Sequence, residues 1–425
     1  MRKFIIFLLC VPQFLMAQSV SLEDCQRWAR ENYPLIQRYE LLEQSKQFTL
    51  SNIAKGWLPQ VTFNALATYQ SDVVALPDAL ENMMKQYGKD VLGIKKDQYK
   101  LALDVQQTLY DGGTMSAQKK VTEAQNVTEK AQNDVELYAL RERVNQLYFS
   151  LLLIDERMAL NEEMQTVLQA NEDKLSSLLA RGVATESDRN AVRAERLTAK
   201  QQHTQLEGQR EAVETVLSLF CGKEIKAVEK PSDVNSAVNV NTSQRPELAL
   251  FDSQIAVTQQ QEKALDSRIL PKLSLFAQGY YGYPGMNMYE DMFSHKWSLN
   301  GLIGARLTWN ISGLYTRKND RNRLENQRQQ IENQRDTFLF NQKMQSSQEG
   351  TAIANYRRVM KEDDEIIALR QDVRLAMESK LTHGVVDVTA LIREITNENQ
   401  AKINKSCHEI ELLEHIYKLK HIVNQ

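Results

Sequence analysis

Val61-Thr62-Phe63-Asn64-Ala65-Leu66-Ala67-Thr68-Tyr69 reads as a β-strand because its chemistry alternates. Val61, Phe63, Ala65, Ala67 and Tyr69 fall on one side, against Thr62, Asn64, Thr68 and Gln70 on the other. A period of two marks extended chain with one apolar face. The pattern returns over Tyr99–Leu109, where Leu101, Leu103 and Val105 oppose Lys100, Asp104, Gln106 and Thr108. It returns again where Leu273, Leu275, Ala277 and Tyr281 oppose Ser274, Gln278 and Tyr280. A fourth stretch sets Trp297, Leu299, Ile303, Leu307 and Trp309 against Ser298, Asn300, Arg306 and Thr308. These stretches predict two long β-hairpins, at about 58–111 and about 270–312, giving four strands per chain.

The hairpins belong to an internal repeat. Asn32-Tyr33-Pro34-Leu35 recurs as Gln244-Arg245-Pro246-Glu247-Leu248, and Trp57-Leu58-Pro59-Gln60-Val61 as Ile269-Leu270-Pro271-Lys272-Leu273. Arg181-Gly182-Val183-Ala184-Thr185 recurs as His383-Gly384-Val385-Val386-Asp387. Two copies, 18–221 and 244–425, flank a polar linker over 222–243 that holds Pro231 and predicts no long element.

Around each hairpin the period becomes helical. Ser21–Lys55 reads as helix before the first hairpin. Thr114–Ala180 follows it without a proline, and Leu137, Leu140, Val144, Leu147, Leu151, Ile154 and Met158 keep the 3-4 spacing of a coiled-coil seam. At 1.5 Å per residue that stretch allows on the order of 100 Å of helix. Leu314–Leu381 is its counterpart, with a looser seam through Ala352, Tyr356, Val359, Ile366, Val373 and Met377. Return arms are expected at Glu186–Phe220 and Val388–Val423. Between outgoing and returning arms, Gly182 suits a left-handed helix stop, and Thr185 with Asp188 a capping box at the restart. Gly384 and Asp387 repeat these parts.

Composition supports long helices. The chain has 16 Gly and 8 Pro in 425 residues, too few for a loop-rich domain set. A mean hydropathy of −0.48 with 25% charged residues excludes a bundle of apolar membrane helices, and a 42% hydrophobic share excludes a disordered chain. A net charge of −3 leaves no broad basic surface for nucleic acid. Met1-Arg2-Lys3, the apolar run Phe4–Val11 and Phe14-Leu15-Met16-Ala17 read as a signal peptide over 1–17, cut at Ala17/Gln18. Leu8-Leu9 before Cys10 does not suit lipidation, so export without an acyl anchor is expected. Cys25, Cys221 and Cys407 then remain, an odd, scattered set from which no disulfide framework or metal cluster is expected. His408 and His415 lie too far apart on one helix to share an ion.

Four amphipathic strands cannot close a cylinder, and an open edge in lipid would leave backbone groups unpaired. Strands of about 9–11 tilted residues cross an outer membrane. Trp57, Tyr110 and Trp309 gather at one end of these strands and Tyr69, Tyr99, Tyr283 and Trp297 at the other, as interfacial girdles do. If the strands span a membrane, several chains share one barrel, and three chains supply twelve strands.

The sequence resembles the TolC-like outer-membrane efflux family. The resemblance is carried by Ser21-Leu22-Glu23-Asp24 after the leader, Asn32-Tyr33-Pro34, Leu58-Pro59-Gln60 opening a strand, Leu109-Tyr110-Asp111-Gly112-Gly113 closing one, and the two glycine turns. It implies a mainly α fold with a β-barrel part: a homotrimer whose twelve-stranded transmembrane barrel continues into a long α-helical barrel crossing the periplasm. It implies a passive duct for small molecules or polypeptides within a tripartite efflux or type I secretion system. The implied partners are outer-membrane lipid, a periplasmic adaptor and, through it, an inner-membrane transporter.

By the same resemblance Gly182, Val183, Ala184 and Thr185, with Gly384, Val385, Val386 and Asp387, form tips that meet the adaptor. Asp188 takes the place of an acidic gate residue, which Ala390 lacks in the second copy. Lys100, Asp104, Gln106 and Arg306 are expected to line the lumen. Met83, Met84, Met286, Met288 and Met292 fall in the hairpin loops, where thioethers suit soft metals but are commonly incidental. No cofactor, resident metal or catalytic motif is read, so an enzyme is not expected. The rival reading is a soluble periplasmic coiled-coil adaptor.

Overall fold

The computed structural model describes residues 19–232 and 243–424. The predicted leader 1–17 with its cut at Ala17/Gln18, Cys10, and residues 233–242 of the linker lie outside them. Among the described residues the helices are α1 (Leu22–Asn32), α2 (Arg38–Ala54), α3 (Asp78–Gln86), α4 (Thr114–Ala180), α5 (Glu186–Cys221), α6 (Pro246–Arg268), α7 (Met288–Asp291), α8 (Gly313–Thr382) and α9 (Val388–Val423). The strands are β1 (Gln60–Tyr69), β2 (Asp97–Tyr110), β3 (Lys272–Tyr283) and β4 (Ser298–Thr308). The long helices and return arms stand within a residue of their expected bounds.

The expected helix over Ser21–Lys55 is instead broken. α1 ends at Asn32, a 3-10 turn covers Pro34–Gln37, and α2 then begins. Pro34 has no N–H to give the preceding turn and its ring crowds that turn's carbonyl, so the helix stops before it. Its counterpart Pro246 sits at the first position of α6, where the missing N–H costs nothing. α4 starts where the Asp111 carboxylate accepts the N–H groups of Gly113 at 2.9 Å and Met115 at 2.7 Å.

The described chain falls into two compact units, one of residues 19–39, 131–232, 243–249 and 334–424, the other of 40–130 and 250–333. In the first, the α4 seam predicted through Leu140, Val144 and Leu151 is buried with Tyr148 and Phe149. It packs on Leu22, Cys25 and Ala29 of α1, Leu217 and Cys221 of α5, and Ile410, Leu413 and Tyr417 of α9. Each such large apolar side chain contributes about 1.5–3 kcal/mol by leaving water.

The seam expected on α8 holds at Tyr356 and Met377 and fails between them. Ile353, Tyr356 and Met360 pack on Leu412, Ile416 and Leu419 of α9, whereas Ile366 and Val373 are exposed. The reason is polar contact: His408 pairs with Asp363 at 2.9 Å and His415 with Glu349 at 2.5 Å. Where charged residues occupy the buried side of a helix, apolar spacing no longer marks that side.

The second unit holds one antiparallel sheet in the order β1-β2-β3-β4. β2 pairs with β3, with a register shift near Thr108 and Tyr110, so the two predicted hairpins merge into a single sheet. Beyond the strands the connections fold together: Ile94, Tyr283 and Met292 are buried with Val73, Leu76, Val91 and Phe293 around them.

Candidate functional site

Register assigns the faces of the sheet. Val61, Val105, Ala277 and Ile303 form one cross-strand row, and Ala65, Leu101, Tyr281 and Leu299 another on the same side. The alternate rows run Thr62, Asp104, Gln278, Leu302 and Asn64, Ala102, Tyr280, Asn300. One face is therefore mostly apolar, with Asp97 and Gln107 its exceptions, and the other mainly polar, with Leu66, Ala102, Phe276 and Leu302 its apolar members. The apolar face is uncovered: Leu299 is 81% and Ile303 80% exposed, and Phe63, Tyr69 and Leu307 are also open. Among the described residues β1 pairs only with β2 and β4 only with β3, so both outer strands present unpaired edges.

The four residues expected to line a lumen share the polar face. The Lys100 ammonium donates to Gln278 at 2.8 Å and stands 4.2 Å from the centre of the Tyr280 ring. Asp104 accepts from Asn64 at 2.7 Å and from Gln278. Gln106 donates to the Ser274 hydroxyl at 3.4 Å, and the Arg306 guanidinium lies 5.0 Å from the Phe276 ring centre. Asn64, Ser274, Phe276, Gln278 and Tyr280 thus belong to this surface. Alternation puts most of them on its side, but only register shows which ones meet.

The aromatic ends divide as expected apart from one residue. Trp297 packs on Tyr99 at 5.9 Å and on Tyr281 at 5.3 Å between ring centres. Tyr283, expected among the interfacial aromatics, is buried instead. Its hydroxyl accepts from the Lys95 N–H at 3.2 Å and donates to the Asp291 carbonyl at 3.4 Å. Met292 is buried beside it, so its thioether serves packing rather than metal capture. Met83, Met286 and Met288 are exposed, and no group of three or more His, Cys, Asp or Glu side chains among the described residues could hold a metal ion.

The two glycine turns are built alike. Gly182 has φ +74° and Gly384 φ +70°, and a Cβ added to either would meet nothing within 4 Å. The demand for glycine is therefore conformational, not one of space. The N–H groups of Val183 and Val385 reach back to the carbonyls of Leu178 and Lys380, each at 2.9 Å, closing the helix ends. Val183 and Val385 project at 60% and 69% exposure. Below the turns, Leu168, Leu175, Val192, Leu391 and Ile395 pack α4, α5 and α9 together, with Ala184, Met377 and Leu381 against them.

The restarts differ. Thr185 and Asp188 form a reciprocal capping box, the Asp188 N–H donating to the Thr185 hydroxyl at 3.2 Å and the Asp188 carboxylate accepting the Thr185 N–H at 2.9 Å. The Thr185 hydroxyl and N–H hold the Asp188 carboxyl below the usual aspartate value. In the second copy Asp387 caps α9 directly, accepting the Ala390 N–H at 2.8 Å.

No protein-family model matches the chain, and no curated protein matches it. Solved structures do. The outer-membrane protein VceC of Vibrio cholerae superposes with a TM-score of 0.66 at 12% identity, over 95% of this chain and 95% of that one. CusC, solved in connection with transmembrane channel formation, gives 0.67 at 12% identity over 99% and 98%. The MtrE outer-membrane channel of Neisseria gonorrhoeae gives 0.62 at 13% identity over 95% and 88%. The chain has the fold of TolC-like outer-membrane channels.

Proposed function

We propose that the chain is the outer-membrane component of a tripartite efflux or type I secretion system, one third of a passive trimeric duct. The observation that carries this reading is the sheet: one apolar face open to its surroundings, one polar face, and an unpaired edge on each side. An isolated sheet of that kind in water is an aggregation hazard. In lipid it needs its edges paired, and three copies joined β1 to β4 give a closed twelve-stranded barrel.

In that barrel the face bearing Lys100, Asp104, Gln106 and Arg306 surrounds water. The two glycine tips meet a periplasmic adaptor, which links the duct to an inner-membrane transporter, and Asp188 supplies the charge at a periplasmic gate. The cargo, small molecules or polypeptides, is chosen upstream, because a wide wet duct offers few tight contacts. The soluble-adaptor reading leaves the exposed apolar face without a purpose.

Fractionation tests the proposal. A heat-sensitive oligomer extracted by detergent from the outer membrane is expected. A water-soluble monomer in the periplasm would overturn it.

A further inference from the structure

Cys25 on α1 and Cys221, the last residue of α5, are 196 positions apart in sequence and meet in one core, at 0% and 2% exposure. The Cys221 thiol lies 3.6 Å from the Cys25 carbonyl oxygen, and the two thiols are themselves in side-chain contact. Cys407 is separate: it lies on α9, half-buried, with the Arg157 guanidinium donating to it at 3.6 Å.

We propose that Cys25 and Cys221 are joined as a disulfide in the exported chain, made by exchange with a protein disulfide while α1 docks on the end of α5. The proposal rests on the export reading, because cytosolic thiols stay reduced whereas a periplasm oxidises them. Timing follows from burial. A protein-sized oxidant cannot reach sulfurs closed beneath Leu22, Tyr148 and Leu217, so exchange precedes closure of that core.

Exchange starts from a thiolate, at Cys221 for example, the last residue of α5. Its thiolate bonds to one sulfur of the oxidant and displaces the other as a thiolate. Cys25, giving up its proton, then attacks the Cys221 sulfur of the mixed disulfide and expels the second oxidant thiolate. Two protein thiols are oxidised, one oxidant disulfide is reduced, and the two protons end on the oxidant's thiols. The product pins α1 to the end of the first helical hairpin, beside the backbone stitch that Val20 makes with Ala227 and Glu229.

The test is thiol trapping on full-length protein extracted from membranes in detergent, denatured with excess alkylating agent and mapped by mass spectrometry. A peptide crosslinked through Cys25 and Cys221, with Cys407 alkylated, is expected. Faster migration on a non-reducing gel should be lost on reduction and in Cys25→Ser, and kept in Cys407→Ser. Unfolded full-length chain diluted into detergent with a glutathione redox buffer separates this idea from the export reading. A crosslink formed there but absent from cells supports the pairing and counts against an oxidising destination. Complete alkylation of both cysteines in both preparations overturns the disulfide.

Discussion

Glu172 on α4 accepts the Arg196 guanidinium of α5 at 2.8 Å, and 202 positions further on Arg374 of α8 donates to Glu398 of α9. Both pairs span 24 residues and stand at matched distances from their tip glycines, but the signs are exchanged between the copies. Leu168 and Val192, fully buried, occupy the places that Arg370 and Glu394 fill in the second copy as an ion pair at 3.5 Å. The second hairpin thus holds its arms with charges where the first uses hydrocarbon.

Arg374→Met should destabilise the second hairpin. It removes a partner from Glu398, whose side chain is 6% exposed, and uncompensated buried charge is costly. Lys402 still faces Glu398 at 2.9 Å, so a loss of about 3 kcal/mol, the low end for breaking a buried pair, is expected. The double reversal Arg374→Glu with Glu398→Arg copies the polarity of the first repeat. It should recover part of the loss, limited by Glu378 and Lys402, which suit the present signs. Denaturant midpoints measured on both variants decide it.

Acid should loosen this hairpin. Burial opposes ionisation of Glu398, but Lys402 and Arg374 outweigh it and hold the carboxyl below the ordinary 4.5. Asn397, then Arg393 and Arg370 working against burial, lower Glu394 as well. A carboxyl whose folded value is depressed gives stability that is whole above its unfolded value and fades as pH falls through the folded one. Melting temperature should therefore hold down to about pH 4.5 and decline below it. A flatter decline is expected for Arg374→Met. An unchanged acid profile would contradict the assignment.

Gly384→Val places a β-branched residue at φ +70°. The cost is about 1–3 kcal/mol of backbone strain at one surface turn, too little to unfold the chain. Oligomers should survive on semi-native gels while dye efflux is lost. Efflux at the native rate would remove the docking role from this tip.

The sheet faces predict opposite tolerance. Ile303→Lys on the apolar side should cost about 2–4 kcal/mol if it sits at the bilayer midplane and deplete assembled oligomer. Gln278→Lys on the polar side should assemble normally and change only conduction. Equal assembly of both in membrane extracts would mean that lipid does not cover the apolar face.

Loop thioethers should be dispensable. Met286→Leu with Met288→Leu keeps exposed apolar bulk without a soft donor. Copper and silver tolerance should be unchanged relative to the parent strain.

The sequence makes the strands and long helices legible because each rests on a local rule: alternation for Val61–Tyr69, uninterrupted heptads for Leu137–Met158, and positive φ at Gly182 and Gly384. The middle of the α8 seam, Ile366 and Val373, escapes that reading because polar pairs, Asp363 with His408 and Glu349 with His415, occupy the buried side of the helix. Tyr283 and Met292 escape it because loop packing depends on which distant segments meet. The inverted ion pairs lie in plain view at a fixed offset, yet neither Glu172 nor Arg374 signals a partner until two helices are set side by side.

Val20, the third residue after the predicted cut, gives its N–H to Ala227 at 3.0 Å and takes the N–H of Glu229 at 3.1 Å. Processing at Ala17/Gln18 would leave these bonds whole, whereas trimming a few residues further in would erase them. An affinity tag fused directly to Gln18 would hang from a sewn seam rather than from a loose thread, and a spacer ahead of it would protect the fold.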